Sequence, residues 1–525
     1  MLSKVNSCGL LGIEGYVISV ETDISNGIPA FEIVGLGDTA VKEAKERVRA
    51  AIRNSGLEFP VKKITINLAP ADLRKEGSAL DLPIAIGILA AAGNTFNSAN
   101  KISDGNCFGN FAGDYMFAGE LSLNGEVKPI KGVLSMAMCA RQKGIKNLVI
   151  PDGNKDEAAV VKGINVLPVK NIIDIIRHLT GEKRIEKYSI DVEKIFEENT
   201  CYDLDFCEVR GQDNVKRALE IAAAGAHSCL MVGPPGAGKT MIARRLPSIL
   251  PPLTFEEALE VTRIHSIAGN LPAGTPLIKT RPFRSPHHTI SAVSLTGGGR
   301  YPKPGEISMA HYGVLFLDEI AEFDRKTLEA LRQPLEDGRI TISRLHGTIT
   351  YPARTTLILA CNPCPCGNAS DPTKICTCTP RQIREYFSKI SGPLLDRIDM
   401  FIDVAPVKYE ELEATRAVEK SGDIRERVVK ARNIQLKRYK GFQIYSNSQL
   451  QPAMIERFCK LNEECRALLR KAFDKLGLTA RSYNRVLKVA RTIADLEEKE
   501  NIELNHLAEA LQYRIKYGTI QQLTK

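Results

Sequence analysis

The sequence predicts an α/β protein of two successive α/β domains followed by a helical one, on three observations. Short β-rich runs alternate with helical stretches from Gly15 to about Pro168, a strand, glycine loop and helix open a second alternating segment near residue 228, and strand signals vanish after Tyr409. The length of 525 residues is enough for about three or four domains, each with its own core. With 43% hydrophobic and 25% charged residues, neither a disordered polymer nor a fibrous repeat fits. The longest apolar stretch, Leu82 to Ala92, is about half of what a bilayer crossing needs and contains Pro83 and Gly87. The start, MLSKVNSCGLLGIEGY, carries no export signature, so the expected location is the cytoplasm. Thirteen cysteines are then expected to be reduced, and a tight cluster among them is a metal candidate before a disulfide. The net charge of +9 permits a polyanionic partner without demanding one.

In the first domain, strands are expected at Tyr16–Val20, Ile64–Leu68 and Leu148–Ile150, with helices at Thr39–Ser55 and Leu134–Lys143. Residues 170–200 turn charged, as a helix followed by a linker would. Apolar strands follow at Ser228–Val232, Val314–Leu317 and Thr356–Ala360, and charged segments of helical period then run to the C-terminus. The expected boundaries are 1–170, a linker at 171–204, 205–408 and 409–525.

The strand SCLMV runs into Gly233-Pro234-Pro235-Gly236-Ala237-Gly238-Lys239-Thr240 and then a helix, the phosphate-binding loop in the context that gives it meaning. Its glycines let backbone N–H groups close on phosphate oxygens, and the helix N-terminus adds partial positive charge. Lys239 is placed to reach the β and γ phosphates of ATP, and Thr240 to offer an oxygen to Mg2+. Farther on, four apolar residues end in Asp318 and Glu319. Such a strand delivers one carboxylate to the Mg2+ shell and the other to the attacking water.

With these motifs in place the sequence resembles the AAA+ ATPases, specifically their magnesium-chelatase-like branch. The similar features are Val209-Arg210-Gly211-Gln212 before the first helix, Asn362 after TTLILAC, Arg397 in SGPLLDRID and Arg481 in LTARSYNRVLKVAR. The resemblance implies that Val209 and Gly211 lie on the adenine side, that Asn362 polarises the water and that Arg481 senses nucleotide from a helical lid. It implies further that Arg397 is an arginine finger completing a neighbour's site, hence a ring, most often a hexamer.

Two features sit between these motifs. Cys364-Pro-Cys366 and Cys376-Thr-Cys378 give four thiols across a short loop, a spacing able to close a tetrahedral zinc site, although C-x-C pairs are less common than C-x-x-C and ordinary reduced thiols are the alternative. The run RITISRLHGTITY reads as a β-hairpin turning at His346-Gly347. The resemblance places such a hairpin before the first sensor with its tip, here Arg344, Leu345 and His346, in a central pore; a solvated turn is the alternative. The insert RPFRSPHHTISAVSLTGGGRYPKPGE reads as a basic glycine-rich pore or interface loop, its adjacent His287 and His288 lacking the spacing of metal ligands. Eight Lys or Arg against one acid between Arg466 and Arg491 suit a solvated helix face or phosphate contacts.

The N-terminal runs GDTAVKEAKERVRAAIRNSGLEFP, ITINLAPADLRKEGSALDLPIAIGIL and GELSLNGEVKPIKGVLSMAMCARQKGIKNLVIP resemble the ComM (YifB-type) competence proteins, and with the AAA+ motifs the likeness spans essentially the chain. The same domain is similar to the proteolytic domain of Lon. There, however, Ala79 falls where Lon-type peptidases carry their serine and Leu134 where they carry their lysine, so the likeness implies the fold without the peptidase; Ser78, lacking that base, does not rescue it. The resemblance implies an ATP-driven DNA translocase or helicase, hexameric, promoting branch migration on single-stranded, double-stranded and branched DNA during natural transformation and homologous recombination, alongside recombination proteins. The alternative is a protein-remodelling or chelatase motor acting on a polypeptide, which usually relies on an aromatic pore loop that RLHG does not offer.

Overall fold

The computed structural model describes residues 2–93, 113–197, 202–299, 302–344, 347–371, 373–407, 409–410, 418–442 and 444–524. The chain forms two compact units, one of Met1–Glu198 with Ala258–Ile278 and Ser343–Ile349, the other of Asn199–Glu257, Lys279–Ile342 and Thr350–Lys525. Among the described residues no helix is long and apolar enough to cross a membrane.

The first unit is built on a seven-stranded mixed sheet of β1 (Leu2–Leu11), β2 (Glu14–Ser25), β3 (Ala30–Val34), β4 (Lys63–Ala69), β5 (Tyr115–Phe117), β6 (Asn147–Pro151) and β7 (Asn165–Val169), in the order β3-β4-β2-β1-β5-β6-β7. Period-two alternation sets its faces: Ile18, Val20, Thr22 and Ile24 of β2 and Ile64, Ile66 and Leu68 of β4 point into the core, and their neighbours point out. Helix α1 (Thr39–Asn54) buries Val41, Ala44, Val48, Ala51 and Ile52, one stripe of helical period, and Asp38 caps it by accepting from the Val41 N–H at 2.9 Å. The stretch expected to be too short for a membrane becomes α2 (Asp81–Ala91), apolar all round because it is buried on nearly every side. At its start the buried Asp81 carboxylate takes two hydrogen bonds, 2.7 and 2.9 Å, from Arg47 of α1.

Helix α3 (Val133–Gln142) shows how a distant segment completes this unit. Gly132 N–H donates to Ser266 Oγ at 2.9 Å and Leu134 N–H to Glu157 at 2.8 Å, and Ser266 in turn donates to Glu157. Burial pushes the Glu157 carboxyl above its usual range, with the hydrogen bonds of Ser266, Leu134 and Asn154 pulling it back.

The second unit holds five parallel strands: β8 (Cys229–Val232), β9 (Phe283–Arg284), β10 (Val314–Leu317), β13 (Thr356–Cys361) and β14 (Met400–Asp403), ordered β9-β10-β13-β8-β14. Every residue of β8, β10 and β13 is buried, as continuous apolar runs demand in a parallel sheet covered on both faces. Between β10 and β13 come α6 (Arg332–Asp337, after α4, Asp213–Gly225, and α5, Lys239–Arg245) and a hairpin of β11 (Arg339–Arg344) and β12 (Gly347–Pro352). The chain continues through α7 (Pro380–Ser388) to the C-terminal helices α8 (Ser421–Arg438), α9 (Glu463–Leu476), α10 (Ala480–Leu496) and α11 (Leu504–Thr524). One core joins sheet and helices, with Ile424, Val428, Val486, Ile493 and Leu507 clustered with Met231, Phe316 and Ile358.

Two expectations change. The insert read as a loop supplies β9 to the central sheet, a short helix at Ala292–Thr296 and a small hairpin, Gly297–Gly298 with Lys303–Pro304. Two of its arginines are structural: Arg281 binds the carbonyls of Pro251, Pro252 and Tyr312 and the Glu257 carboxylate, and Arg284 binds Glu306 through two bonds of 2.6 and 2.8 Å. The basic run from Arg466 to Arg491 is likewise divided. Arg466, Arg470, Lys471, Lys475 and Arg481 are exposed, whereas Arg491 is 2% exposed and bound to Asp495 and to the carbonyls of Lys499 and Glu500.

Asp495, fully buried, also receives Arg438 at 2.9 Å and Asn447 at 2.8 Å. Asp495→Ala would leave the buried Arg491 guanidinium and the largely covered Arg438 guanidinium without their carboxylate. It should therefore cost about 3–5 kcal/mol, read as a lowered urea midpoint of the second unit's transition.

Candidate functional site

A parallel sheet directs its functional residues to the carboxyl ends of its strands. Here three of them converge: β8 ends in the loop from Gly233 to Thr240, β10 in Asp318 and Glu319, and β13 in Cys361 and Asn362. Since β13 lies between β8 and β10, Asn362 stands between the loop and the acids. The loop needs its glycines for two reasons. Gly236 and Gly238 have φ of +80° and +85°, which side chains rarely adopt, and a Cβ on Gly233 would stand 2.2 Å from the Val404 carbonyl oxygen.

Lys239, 8% exposed, donates to the carbonyls of Gly233 (2.6 Å) and Pro234 (3.0 Å) and to Asn362 Oδ1 (3.1 Å). Burial pushes its ammonium below the usual lysine range, partly offset by Asp318 and Glu319. Thr240 Oγ1 donates to Asp318 Oδ2 at 2.5 Å, so the two oxygens suited to one Mg2+ already meet. Glu319 is exposed and left-handed, φ +51°, a conformation that costs a non-glycine residue roughly 1–2 kcal/mol and turns the side chain out of the strand line.

Val209 is buried in the core cluster that holds Ala237 of the loop, and Gly211 has φ of +63°. The neighbouring Gln212, quoted in the same motif but given no role of its own, donates to the carbonyls of Ala237 (3.4 Å) and Ala405 and so ties this segment to the loop. Arg397 and Arg481 are not drawn into the same cluster of bonds. Arg397 donates to Pro393 O at 2.8 Å and pairs with Glu336 of α6; Arg481 is exposed in the first turn of α10. One turn after Arg481, Arg485 was missed by sequence reasoning. It donates to the Arg397 carbonyl at 2.8 Å and pairs with Asp399, which also meets the buried His227 at 3.2 Å. Burial would raise the Asp399 carboxyl, yet Arg485 and His227 hold it well below the usual range.

The four cysteines of the loop after β13 do come together: all ligand atoms lie within 4.8 Å of one another, with sulfur separations of 3.3 Å for Cys364–Cys366 and 3.7 Å for Cys364–Cys376 and Cys366–Cys376. A tetrahedral zinc at about 2.3 Å from each sulfur places the sulfurs roughly 3.8 Å apart, so the set fits that ion, while a disulfide needs about 2.05 Å. The Cys366 N–H points at Cys378 Sγ at 3.4 Å, and the N–H groups of Asn368 and Thr377 bring the Cys366 thiol down to about 6, while the neighbouring thiols push Cys376 and Cys378 up. Cys361, expected in the core, is buried there.

The hairpin strands are present as read, with the Thr341 and Thr350 hydroxyls 3.3 Å apart. Its expected tip, Leu345 and His346 with the side chain of Arg344, lies outside the described residues. In the first unit Ala79 precedes α2, Leu134 is fully buried at the start of α3, and Ser78 pairs with Glu120.

A phosphate loop, an acid pair on a non-adjacent strand, a polar residue from the strand between them and a helical C-terminal part define an AAA+ protein of the magnesium-chelatase type. The family described as magnesium chelatase, subunit ChlI, matches residues 205–412, its C-terminal part matches residues 418–514, and a further ChlI match covers residues 20–154. The chain is 43% identical to competence protein ComM of Haemophilus influenzae over 100% of this chain and 99% of that protein, and 43% identical to YifB of Escherichia coli over 98% and 97%. It belongs to this ComM/YifB family. A partial likeness, 26% identity over 31% of the chain, links it to the Lon protease of Mycolicibacterium smegmatis. AAA+ membership implies ATP and Mg2+ as ligands.

Because a Cβ on residue 233 collides with backbone rather than with a pliable side chain, Gly233→Ala must shift the loop by an ångström or so. Affinity for a fluorescent ATP analogue should fall on the order of 100-fold in an equilibrium titration, the scale of a misplacement of that size.

Proposed function

We propose that this chain is a hexameric, ATP-driven DNA translocase or helicase that works in the cytoplasm and promotes branch migration in natural transformation and homologous recombination. The observation that carries the motor half is the convergence of Lys239, Thr240, Asp318 and Asn362 within hydrogen-bonding distance at one sheet edge. What supports the DNA half is full-length similarity to a protein named for competence.

In this reading the backbone from Gly233 to Gly238 cradles the phosphates of ATP, with Lys239 on the β and γ groups. Thr240 and Asp318 hold Mg2+, Glu319 acts on the attacking water, and Asn362 orients it. Val209 and Gly211 flank the adenine, Arg481 senses nucleotide from the helical lid, and Arg397 serves as a finger in the neighbouring subunit's site. Arg397 is held by Glu336 of its own chain, so reaching a neighbour's phosphate would reorient or exchange that ion pair. Cys364, Cys366, Cys376 and Cys378 hold structural zinc. The first domain is a Lon-like scaffold without peptidase activity, and Arg344, Leu345 and His346 contact DNA, single- or double-stranded, from the pore.

Lys239→Ala should abolish ATP binding, while Glu319→Gln should keep binding and lose hydrolysis at least about 100-fold, measured by titration and phosphate release. Equal loss of affinity in both variants would remove the role assignment. For the substrate, ATPase is compared with and without branched DNA or an unfolded polypeptide. DNA should stimulate, and Arg344→Ala should cut that stimulation, spare basal ATPase and lower the salt slope of DNA binding by about one. Stimulation by the polypeptide alone would favour the remodelling motor.

A further inference from the structure

The segment that leaves β13 is joined to the phosphate loop three times within seven residues. Gly233 N–H donates to the Cys361 carbonyl at 3.2 Å, Lys239 donates to Asn362 at 3.1 Å, and Gly367 packs on the ring of Pro235. That last contact is close: a Cβ on Gly367 would stand 2.5 Å from Pro235 Cδ and 2.6 Å from Cγ, and its φ of +82° also suits glycine. Two of the four thiols, Cys364 and Cys366, lie inside this segment, and a turn from Gly367 N–H to the Cys364 carbonyl, 3.0 Å, makes the Pro235 contact part of the same bend. The other two, Cys376 and Cys378, directly precede Thr379, which caps α7 through a reciprocal capping box with Gln382. Helix α7 is anchored in turn by buried Tyr386 and Phe387.

We infer that the cysteine cluster is a metal-dependent clamp on the phosphate loop: zinc held by Cys364, Cys366, Cys376 and Cys378 ties the 361–367 segment to α7, and its occupancy sets the affinity of the loop for nucleotide. This rests on the readings of the loop as an ATP site and of the four thiols as metal ligands. The physical ground is preorganisation. Zinc bonds the Cys364–Cys366 pair to the Cys376–Cys378 pair, and without it nothing covalent joins the two, so metal-free protein lets the bend open, and the contacts at Asn362 and Gly367 that fix Lys239 and Pro235 loosen with it. The cluster is all sulfur, which selects zinc over magnesium or calcium. Coupling between two sites is reciprocal, so nucleotide must hold the metal more tightly by the factor with which metal favours nucleotide.

The test uses the full chain. Elemental analysis should give about one zinc per chain, including in Lys239→Ala. Affinity for a fluorescent ATP analogue is titrated in zinc-loaded, chelator-stripped and reloaded protein; stripping should weaken it about tenfold and reloading restore it, a coupling within the usual range. The analogue should weaken zinc capture by a colorimetric chelator by the same factor, a response that a merely structural metal would not give. Gly367→Ala keeps all four thiols and should keep its zinc yet bind the analogue more weakly, which retains a test if stripped protein unfolds. Equal nucleotide affinity with and without zinc, together with an unaffected Gly367→Ala, overturns the clamp and leaves both site readings standing. Absence of zinc overturns the metal reading and the clamp with it, and absence of analogue binding in zinc-loaded protein overturns the nucleotide reading.

Discussion

The second unit depends on the parallel pairing of β13 between β8 and β10. Its hydrogen bonds set Cys361 beside Val232 and Leu359 beside both Leu230 and Leu317, so the ends of three strands arrive at one edge in fixed register. A slip of one residue would turn every side chain to the other face. Asn362 would then leave Lys239, and the acids of β10 would no longer stand opposite Thr240. Close packing of their side chains on both faces opposes the slip, because a shifted register would no longer fit its neighbours.

Charge is handled in two ways around that edge. At the loop, Lys239 is bound mainly to backbone carbonyls and an amide, neutral partners that an incoming phosphate can replace without breaking a buried ion pair. Behind it, charges are paired and closed off: Asp399 with Arg485 and His227, Asp495 with Arg438 and Arg491. The first group shares its hydrogen bonds with the Arg397 backbone, and Arg514 adds a bond to the Ile398 carbonyl at 2.8 Å. These bonds join the C-terminal helices to the segment that carries Arg397.

The first unit is organised around apolar α2 and the buried Arg47–Asp81 pair. Its α3 N-terminus, where the Lon likeness would put a lysine on the residue that is Leu134, has its N–H groups taken up by Ser266 and Glu157. A polar lock supplied by a distant segment and by Glu157 closes this helix start.

Much of this was legible in the sequence. The α/β class, the helical C-terminus and the family follow from hydrophobic period and from motifs such as GPPGAGKT, because burial and phosphate geometry constrain residue type locally. The cysteines were also visible as a set, because all four lie within one short loop. What the sequence did not reveal depends on which side chains meet across long separations. Arg491 looked like its exposed neighbours until Asp495 and two carbonyls enclosed it, the insert looked like a loop until Phe283 and Arg284 paired with β10, and Ser266 gave no sign of capping α3. Gly367 is one glycine among 40, and only the tertiary structure put it against Pro235. Periodicity reports what each residue needs from solvent, and the partner that satisfies the need is chosen by packing.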